Sequence, residues 1–430
     1  MRVREVAAVK HCPQCGEPFG CGHGQPGCWC EEVLLSAETL TRLRTVADDC
    51  LCPACLSGYA EPEATRADAE AVPVRLRWAK AVPDAAVQAR GLPPLWALAA
   101  VAFLLGSLLL ALANGPLPIG AGAIAESALA HLPLVHVRSP LGAMESAIVW
   151  QVRAPRVVLG ALVGGMLAIA GASYQGVFRN PLADPYLLGV AAGAGLGATL
   201  AIAYTAPGAH VGELLPLAAF AGAVCAVAGA YVLGRSVGGV RTTGALILAG
   251  VTVAAFMTAI QTFVQQQHSD TLREVYSWIL GGLSGASWQQ VVLVTPYITF
   301  SVAVLLVHRR VLDVLSLGDE EAAGLGLNVR RTRLVIVAAA TAGTAAAVAV
   351  SGLIGFVGII VPHTVRLLVS SSYRAIVPLS LLVGAGFLVL TDVLARTVMS
   401  PAELPIGVVT AFFGAPFFAV LLRTSRRVGM

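Results

Sequence analysis

The sequence predicts an all-α membrane protein that crosses the bilayer about ten times and carries a small cysteine-rich module at its N-terminus. Hydrophobic residues make up 57% of the 430 residues and charged residues only 12%, about half the charged fraction of a soluble domain. Eight of the nine cysteines lie between Cys12 and Cys55. This composition excludes a disordered chain, an ordinary soluble enzyme and a secreted disulfide scaffold.

The charge and cysteine distributions divide the chain into three parts. Residues 1–59 hold the cysteine-rich module, residues 60–91 form a linker rich in Ala, Glu, Pro and Arg, and residues 92–427 form the membrane domain. No apolar stretch opens the chain, so we expect no signal peptide and a module that stays on the side of synthesis.

Ten stretches are apolar enough to be spanning helices, since one bilayer crossing takes about 20 apolar residues. They cover 95–114, 155–175, 186–206, 213–234, 242–264, 289–308, 333–350, 353–370, 377–396 and 406–423. The segment 272–287 is too short to cross and is either a half-helix or an interfacial helix. Small residues four apart, such as Gly193 and Gly197, predict close contacts between helices.

Two further patterns concern repeats and orientation. Gly171 precedes Pro181 by the same spacing with which Gly352 precedes Pro362, a weak sign of repeated halves. Thirteen arginines fall in loops on one side of the predicted membrane and five on the other. Because basic residues favour the cytoplasmic side, we expect both termini in the cytoplasm.

The source of energy is predicted to lie outside the chain. The spans contain almost no ionisable side chains, which disfavours coupling to protons or sodium ions. The sequence also has no GxxxxGK[ST] phosphate-binding loop and therefore no recognisable ATP site. Between the sixth and seventh spans, Gly318 is followed by Asp319, Glu320 and Glu321, and carboxylates favour the start of a helix. This short helix is a candidate contact for a motor protein, and a solvated loop is the equal alternative.

Five longer segments carry a family resemblance. They are 153–197 (RAPRVVLGALVGGMLAIAGASYQGVFRNPLADPYLLGVAAGAGLG), 276–288 (YSWILGGLSGASW), 315–333 (LSLGDEEAAGLGLNVRRTR), 351–368 (SGLIGFVGIIVPHTVRLL) and 402–423 (AELPIGVVTAFFGAPFFAVLLR). The chain resembles the permease subunits of bacterial ABC importers for iron chelates and vitamin B12 over about residues 92–427. The resemblance implies a type II importer fold in the inner membrane, a homodimer among membrane lipids, and no enzymatic activity of its own. It also implies two ABC ATPase subunits, a periplasmic binding protein and no nucleic acid. The cargo would be a siderophore, haem or cobalamin.

The resemblance also implies roles for individual residues. The ATPase-coupling loop would comprise Gly318, Asp319, Glu320, Glu321, Gly324, Leu325 and Gly326. Arg153, Arg156 and Arg396 match outer arginines that receive carboxylates of the binding protein, with lipid headgroups as the minor alternative. The polar stripe of Thr258, Gln261, Thr262 and Gln265 would line the pathway, with hydrogen bonding between helices as the alternative of nearly equal weight.

The cysteine module has the pattern of a metal site. Two CPxC turns, Cys12–Cys15 and Cys52–Cys55, present four thiolates in a form typical of one tetrahedral zinc site. A second site would draw on the four cysteines between these turns, Cys21, Cys28, Cys30 and Cys50, with His11 or His23 as substitutes. A reducing cytoplasm favours metal over disulfides. The segment resembles the cysteine-rich CWC family, which implies no function. An alternative function is therefore a metal-responsive sensor that the spans anchor in the membrane.

Overall fold

The computed structural model describes residues 8–21, 43, 51–59, 92–115, 117–130, 139–205, 211–236 and 243–425. The chain divides into two compact units, Met1–Ala86 and Val87–Met430. In the first unit, strands β1 (Ala8–His11) and β2 (Pro18–Cys21) pair antiparallel. A short helix, α1 (Pro53–Ser57), begins directly after Cys52.

The second unit consists of helices joined by short connections. Its described helices are α2 (Pro94–Ala113), α3 (Ala121–Ala130), α4 (Ala143–Ala147), α5 (Ala154–Phe178), α6 (Val190–Tyr204), α7 (Val211–Ser236), α8 (Thr243–Gln267), α9 (Leu272–Ile279), α10 (Trp288–Leu315), α11 (Asp319–Gly324), α12 (Val329–Ser351), α13 (Val357–Leu368), α14 (Tyr373–Thr397) and α15 (Ile406–Ser425). Among the described residues, seven helices are long and apolar enough to cross a membrane, and four further apolar helices are shorter. The predicted all-α membrane fold is confirmed.

Each of the ten predicted spans coincides with a helix, but two helices are shorter than the prediction. α6 has 15 residues and α13 has 12, which gives lengths of about 22 and 18 Å. Gly189 and Gly352 have positive φ angles and so interrupt the chain before α6 and after α12, and Phe356 adopts a left-handed conformation before α13. Apolar composition alone does not show these breaks, because the interrupting residues are themselves small or apolar.

The segment 272–287 forms a short helix that is followed by a closely bound turn. α9 has only eight residues, and the turn after it is fixed by main-chain hydrogen bonds from Gly282 N to the Ser351 carbonyl and from Ile406 N to the Gly281 carbonyl. Leu283 in this turn is 2% exposed. The turn therefore packs against the end of α12 and the start of α15. The helix α9 itself buries only Val275 and leaves Arg273, Glu274 and Tyr276 exposed, so the half-helix and the interfacial helix both stay predictions.

Small residues let the helices pack with their backbones in contact, as the sequence predicts. A Cβ atom on Gly193 or Gly197 would overlap main-chain carbonyls of α7. A Cβ on Gly171 would likewise overlap the carbonyl of Gly358, so α5 lies directly against the start of α13. The repeated halves stay a prediction.

Candidate functional site

Arg153, Arg156 and Arg396 meet at one end of the helical unit, where α5 begins and α14 ends. Arg153 is 4% exposed, and its guanidinium donates hydrogen bonds to main-chain carbonyls at and beyond the end of α2. Arg396 donates to the carbonyl of Ala111 and places its Nε 3.5 Å from a carboxylate oxygen of Asp392. The three arginines therefore form one cluster, which we call the arginine end.

Arg156 is the centre of this cluster and binds two carboxylates. Its Nε and Nη2 donate to Asp392 Oδ1 at 3.0 and 2.8 Å. Its Nη1 and Nη2 donate to Glu403 Oε1 and Oε2 at 2.8 and 3.0 Å. Asp392 is 2% exposed, whereas the Glu403 side chain is 40% exposed. The hydrogen bonds from Arg156 lower the pKa of the Glu403 carboxyl, although partial burial opposes this shift.

The cluster differs from its sequence interpretation in one respect. The sequence suggests that outward arginines seek an anionic partner on another protein, but Arg156 has two anionic partners within its own chain. Glu403 is 247 positions from Arg156, so no local spacing could reveal this pair. Asp392, one turn before Arg396, was the available signal, since acids inside spans are rare. Docking by these arginines stays a prediction.

The predicted coupling loop lies at the opposite end of the unit. α5 has 25 residues, about 37 Å of helix, and Arg179 directly after it pairs with Asp319 at 3.4 Å. Asp319 begins α11 immediately after Gly318, as predicted, and also pairs with Arg333 at 2.9 Å. We call this the acidic-helix end.

The surface of α11 and its flanks is part acidic and part apolar. Glu320 and Glu321 are exposed, and Leu317 and Leu325 are 64% and 68% exposed. The remaining predicted residues of the loop are glycines; Gly318 and Gly326 have positive φ angles, and Gly324 is exposed and ends the helix. This surface presents leucine side chains on a segment fixed by two ion pairs, which suits contact with another protein.

A cavity of about 910 Å³ opens beside α8. Thr258 and Thr262 from the predicted polar stripe line it, together with Asp184, Tyr186 and Phe356. Burial raises the pKa of the Asp184 carboxyl to about 6, although the carboxylate accepts a hydrogen bond from Tyr186 N. Sequence reasoning did not single out Asp184, because it lies in a loop between spans with no charged neighbour to mark it.

The other two residues of the polar stripe, Gln261 and Gln265, are placed differently from the two threonines. Gln261 is 9% exposed, and its amide lies so close to Gly195 that a Cβ there would be 2.9 Å from Gln261 Oε1. Gln265 is half-buried. Thr258 and Thr262 therefore lie on the cavity and Gln261 lies against α6, and the role of the stripe in a pathway stays a prediction.

The four outer cysteines converge in the first unit. Cys12, Cys15, Cys52 and Cys55 place their ligand atoms within 4.8 Å of one another, and a tetrahedral zinc site with Zn–S bonds of about 2.3 Å needs sulfurs about 3.8 Å apart. The Cys52 amide donates to Cys12 Sγ at 3.4 Å. Burial opposes ionisation of Cys12, but such main-chain donors outweigh it and lower the pKa of this thiol to about 6.

This geometry fits a single metal site and leaves the second one a prediction. Of the four inner cysteines, Cys28, Cys30 and Cys50 lie outside the described residues, as does His23, and Cys21 is described only as the end of β2. His11 is exposed, and its Nδ1 lies 3.2 Å from the carbonyl of Gly16.

Comparisons with known proteins match both parts of the chain. A model of the FecCD transport family matches residues 97–424, and a model of the cysteine-rich CWC family matches residues 12–57. The chain is 41% identical over 290 residues to an uncharacterised ABC transporter permease protein, YvrB, of Bacillus subtilis, covering 66% of this chain and 81% of that one. It is 39% identical over 358 residues to the cobalamin import system permease protein BtuC of Halobacterium salinarum, covering 76% and 95%.

A solved structure has the same fold. It is described as an inward-facing conformation of a candidate metal-chelate type ABC transporter, is 27% identical, and covers 77% of this chain and all of its own length with a TM-score of 0.67.

Proposed function

Because the chain belongs to the FecCD transport family, we propose that it is the permease subunit of an ATP-driven, binding-protein-dependent importer of a metal chelate or a corrinoid. The observation that carries this proposal is the family match over residues 97–424, supported by permease relatives that match along most of their length. The chain is a multi-pass membrane protein, and its spans form the domain of a transporter and do more than anchor the cysteine module.

We place the acidic-helix end in the cytoplasm, where it receives an ATPase subunit. The chain has no phosphate-binding loop of its own, and α11 offers exposed leucines and carboxylates on a segment held by Asp319. Movement of a docked ATPase would reach α5 and α12 directly, since the two arginines that pair with Asp319 belong to the end of α5 and the start of α12. This orientation puts both termini in the cytoplasm, in agreement with the arginine distribution.

A second copy of the chain completes the pathway in this proposal. α8 is largely exposed along its length whereas α5 is largely buried, so α8 has a face free for another subunit. The cavity lined by Thr258 and Thr262 lies on α8. Hydroxyl and aromatic groups around a wide cavity suit the passage of a bulky chelate without tight binding. The cargo is an iron chelate such as a siderophore or haem, or cobalamin.

The arginine end faces outward in this orientation and receives the substrate-binding protein. Arg156 is the arginine that meets the partner, since its guanidinium lies beside the half-exposed Glu403. Arg153 acts as a support, because its guanidinium is bound to main-chain carbonyls. The cysteine module holds one zinc ion through Cys12, Cys15, Cys52 and Cys55, and the ion stabilises a segment too short to fold on a core alone.

Affinity purification of the tagged chain from its own cells tests the proposal. We expect an ABC ATPase to be recovered with it, and the double variant Leu317→Ser, Leu325→Ser to lose that ATPase. Leu117→Ser is the matched control, since it removes a leucine that is 41% exposed near the arginine end. Uptake of ferric siderophore, haem and cobalamin by a deletion strain identifies the cargo. Transport of cargo into liposomes by the chain alone, without ATP, would overturn the proposal.

A further inference from the structure

We propose that Glu403 binds the guanidinium of Arg156 in the resting permease, and that a carboxylate of the binding protein displaces Glu403 when the two proteins meet. Glu403 would then set the affinity of docking. This inference rests on the proposed function, in which Arg156 receives the binding protein, and goes beyond it by giving the chain its own competitor for that contact.

The geometry of Arg156 leaves no edge of its guanidinium free. One edge, formed by Nε and Nη2, holds Asp392, and the other, formed by Nη1 and Nη2, holds Glu403 with bonds of 2.8 and 3.0 Å. A guanidinium binds a carboxylate most strongly through two parallel N–H donors. A carboxylate that arrives from another protein can make such a bidentate pair only if one of the two resident carboxylates leaves.

The two resident carboxylates are not equally able to leave. Asp392 is 2% exposed, lies inside α14 and has Arg396 as a second neighbour, so its release would leave a charge buried without a partner. Glu403 lies on the connection between α14 and α15, and its side chain is 40% exposed. Water can therefore solvate its carboxylate on release, and Glu403 is the group that exchanges.

The charge of the cluster favours an incoming anion while Glu403 is still in place. Three guanidinium groups face two carboxylates, which leaves one positive charge unbalanced. Arg396 contributes to this excess, because the carboxylate with which it pairs, Asp392, is shared with Arg156. The excess charge attracts an acidic surface, and the exchange at Arg156 replaces one bidentate pair by another. Removal of the resident competitor should therefore strengthen docking.

Binding of the cargo-loaded binding protein to the complete importer in lipid nanodiscs tests this inference. The probe is the substrate-binding protein that co-purifies with the tagged importer, labelled with a fluorophore. Glu403→Gln keeps the side-chain size and removes the charge, and we expect docking to tighten about two- to fivefold, the range typical of a half-exposed ion pair. Glu126→Gln is the matched control, because Glu126 is an exposed acid of α3, which packs at the same end beside α2, and its removal changes the net charge equally.

A second variant separates the inference from the docking proposal itself. Arg156→Lys keeps a positive charge beside Asp392 but removes the planar fork. We expect it to weaken docking and to abolish the difference between Glu and Gln at position 403. If Arg156→Lys weakens docking but Glu403→Gln behaves like Glu126→Gln, the competitor role is wrong and docking at Arg156 stands. If neither Arg156→Lys nor Glu403→Gln changes the affinity, docking at Arg156 is wrong as well.

Discussion

Replacement of Gly281 by alanine should destabilise the protein strongly, whereas the same change at its neighbour should not. Gly281 follows α9 with a φ angle of +73°, and its carbonyl accepts a hydrogen bond from Ile406 N at 3.0 Å. A Cβ atom at this position would lie 2.6 Å from the carbonyl oxygen of Leu353. Gly282 does not have a positive φ angle, and a Cβ there would meet no atom within 4 Å.

Two separate costs add up at Gly281. The left-handed conformation costs a residue with a Cβ about 1–2 kcal/mol. The overlap forces the new Cβ atom against a main-chain oxygen, where ordinary contact begins at 3.4 Å. Overpacking of this kind costs about 1–3 kcal/mol. We therefore expect Gly281→Ala to lower the free energy of unfolding by roughly 2–5 kcal/mol. Gly282→Ala should change it by less than about 1 kcal/mol.

Thermal unfolding of the detergent-purified protein, followed by tryptophan fluorescence, measures the difference. Trp278, three residues before Gly281, is one of the six tryptophans that contribute to this signal. Gly281→Ala should unfold at a clearly lower temperature than Gly282→Ala and the parent protein. Equal midpoints for the two variants would show that the turn does not need a residue without a Cβ atom at position 281.

Three further predictions concern the acidic-helix end, the cysteine module and the cavity beside α8. Asp319→Asn loses two half-exposed ion pairs, so thermal stability should fall by at most about 1 kcal/mol. Cargo-stimulated ATP hydrolysis by the assembled importer should fall much further, whereas Glu274→Gln, at an exposed acid of α9, should change neither. Cys52→Ser should reduce bound zinc from one ion per chain to near none, as measured by mass spectrometry of the purified protein. Cys225→Ser changes an exposed cysteine of α7 and should leave bound zinc at one ion per chain. Tyr186→Phe removes a hydroxyl that donates at 3.0 Å to the main chain between α12 and α13, and chemical unfolding should show a loss of about 1 kcal/mol.

The positions of the spans could be predicted because a bilayer imposes a single length and a single polarity on every crossing. The start of α11 could also be predicted, since three consecutive carboxylates after Gly318 favour a helix N-terminus. The π-helical turn at Ile148–Arg153 and helix α3 were not predicted. They lie between spans, where neither hydropathy nor a local capping pattern indicates their structure.

The contacts between distant segments were beyond sequence reasoning for a different reason. Arg156 and Glu403 are bonded across 247 positions, and neither residue has a neighbour in the sequence that indicates the other. A single sequence shows which residues are charged. It does not show which opposite charge three-dimensional packing brings within about 3 Å, and so the partners of Arg156 within its own chain were not predicted.

One helix joins the two ends of the unit. α5 carries Arg156 in its first turn, and Arg179 directly follows its last residue, so a single helix of about 37 Å connects the arginine end with the residue that pairs with Asp319. Gly171, near the middle of this path, lies against the start of α13 with main chain on main chain. Because interiors packed this closely transmit displacement instead of absorbing it, α5 is the element through which the state of one face would reach the other.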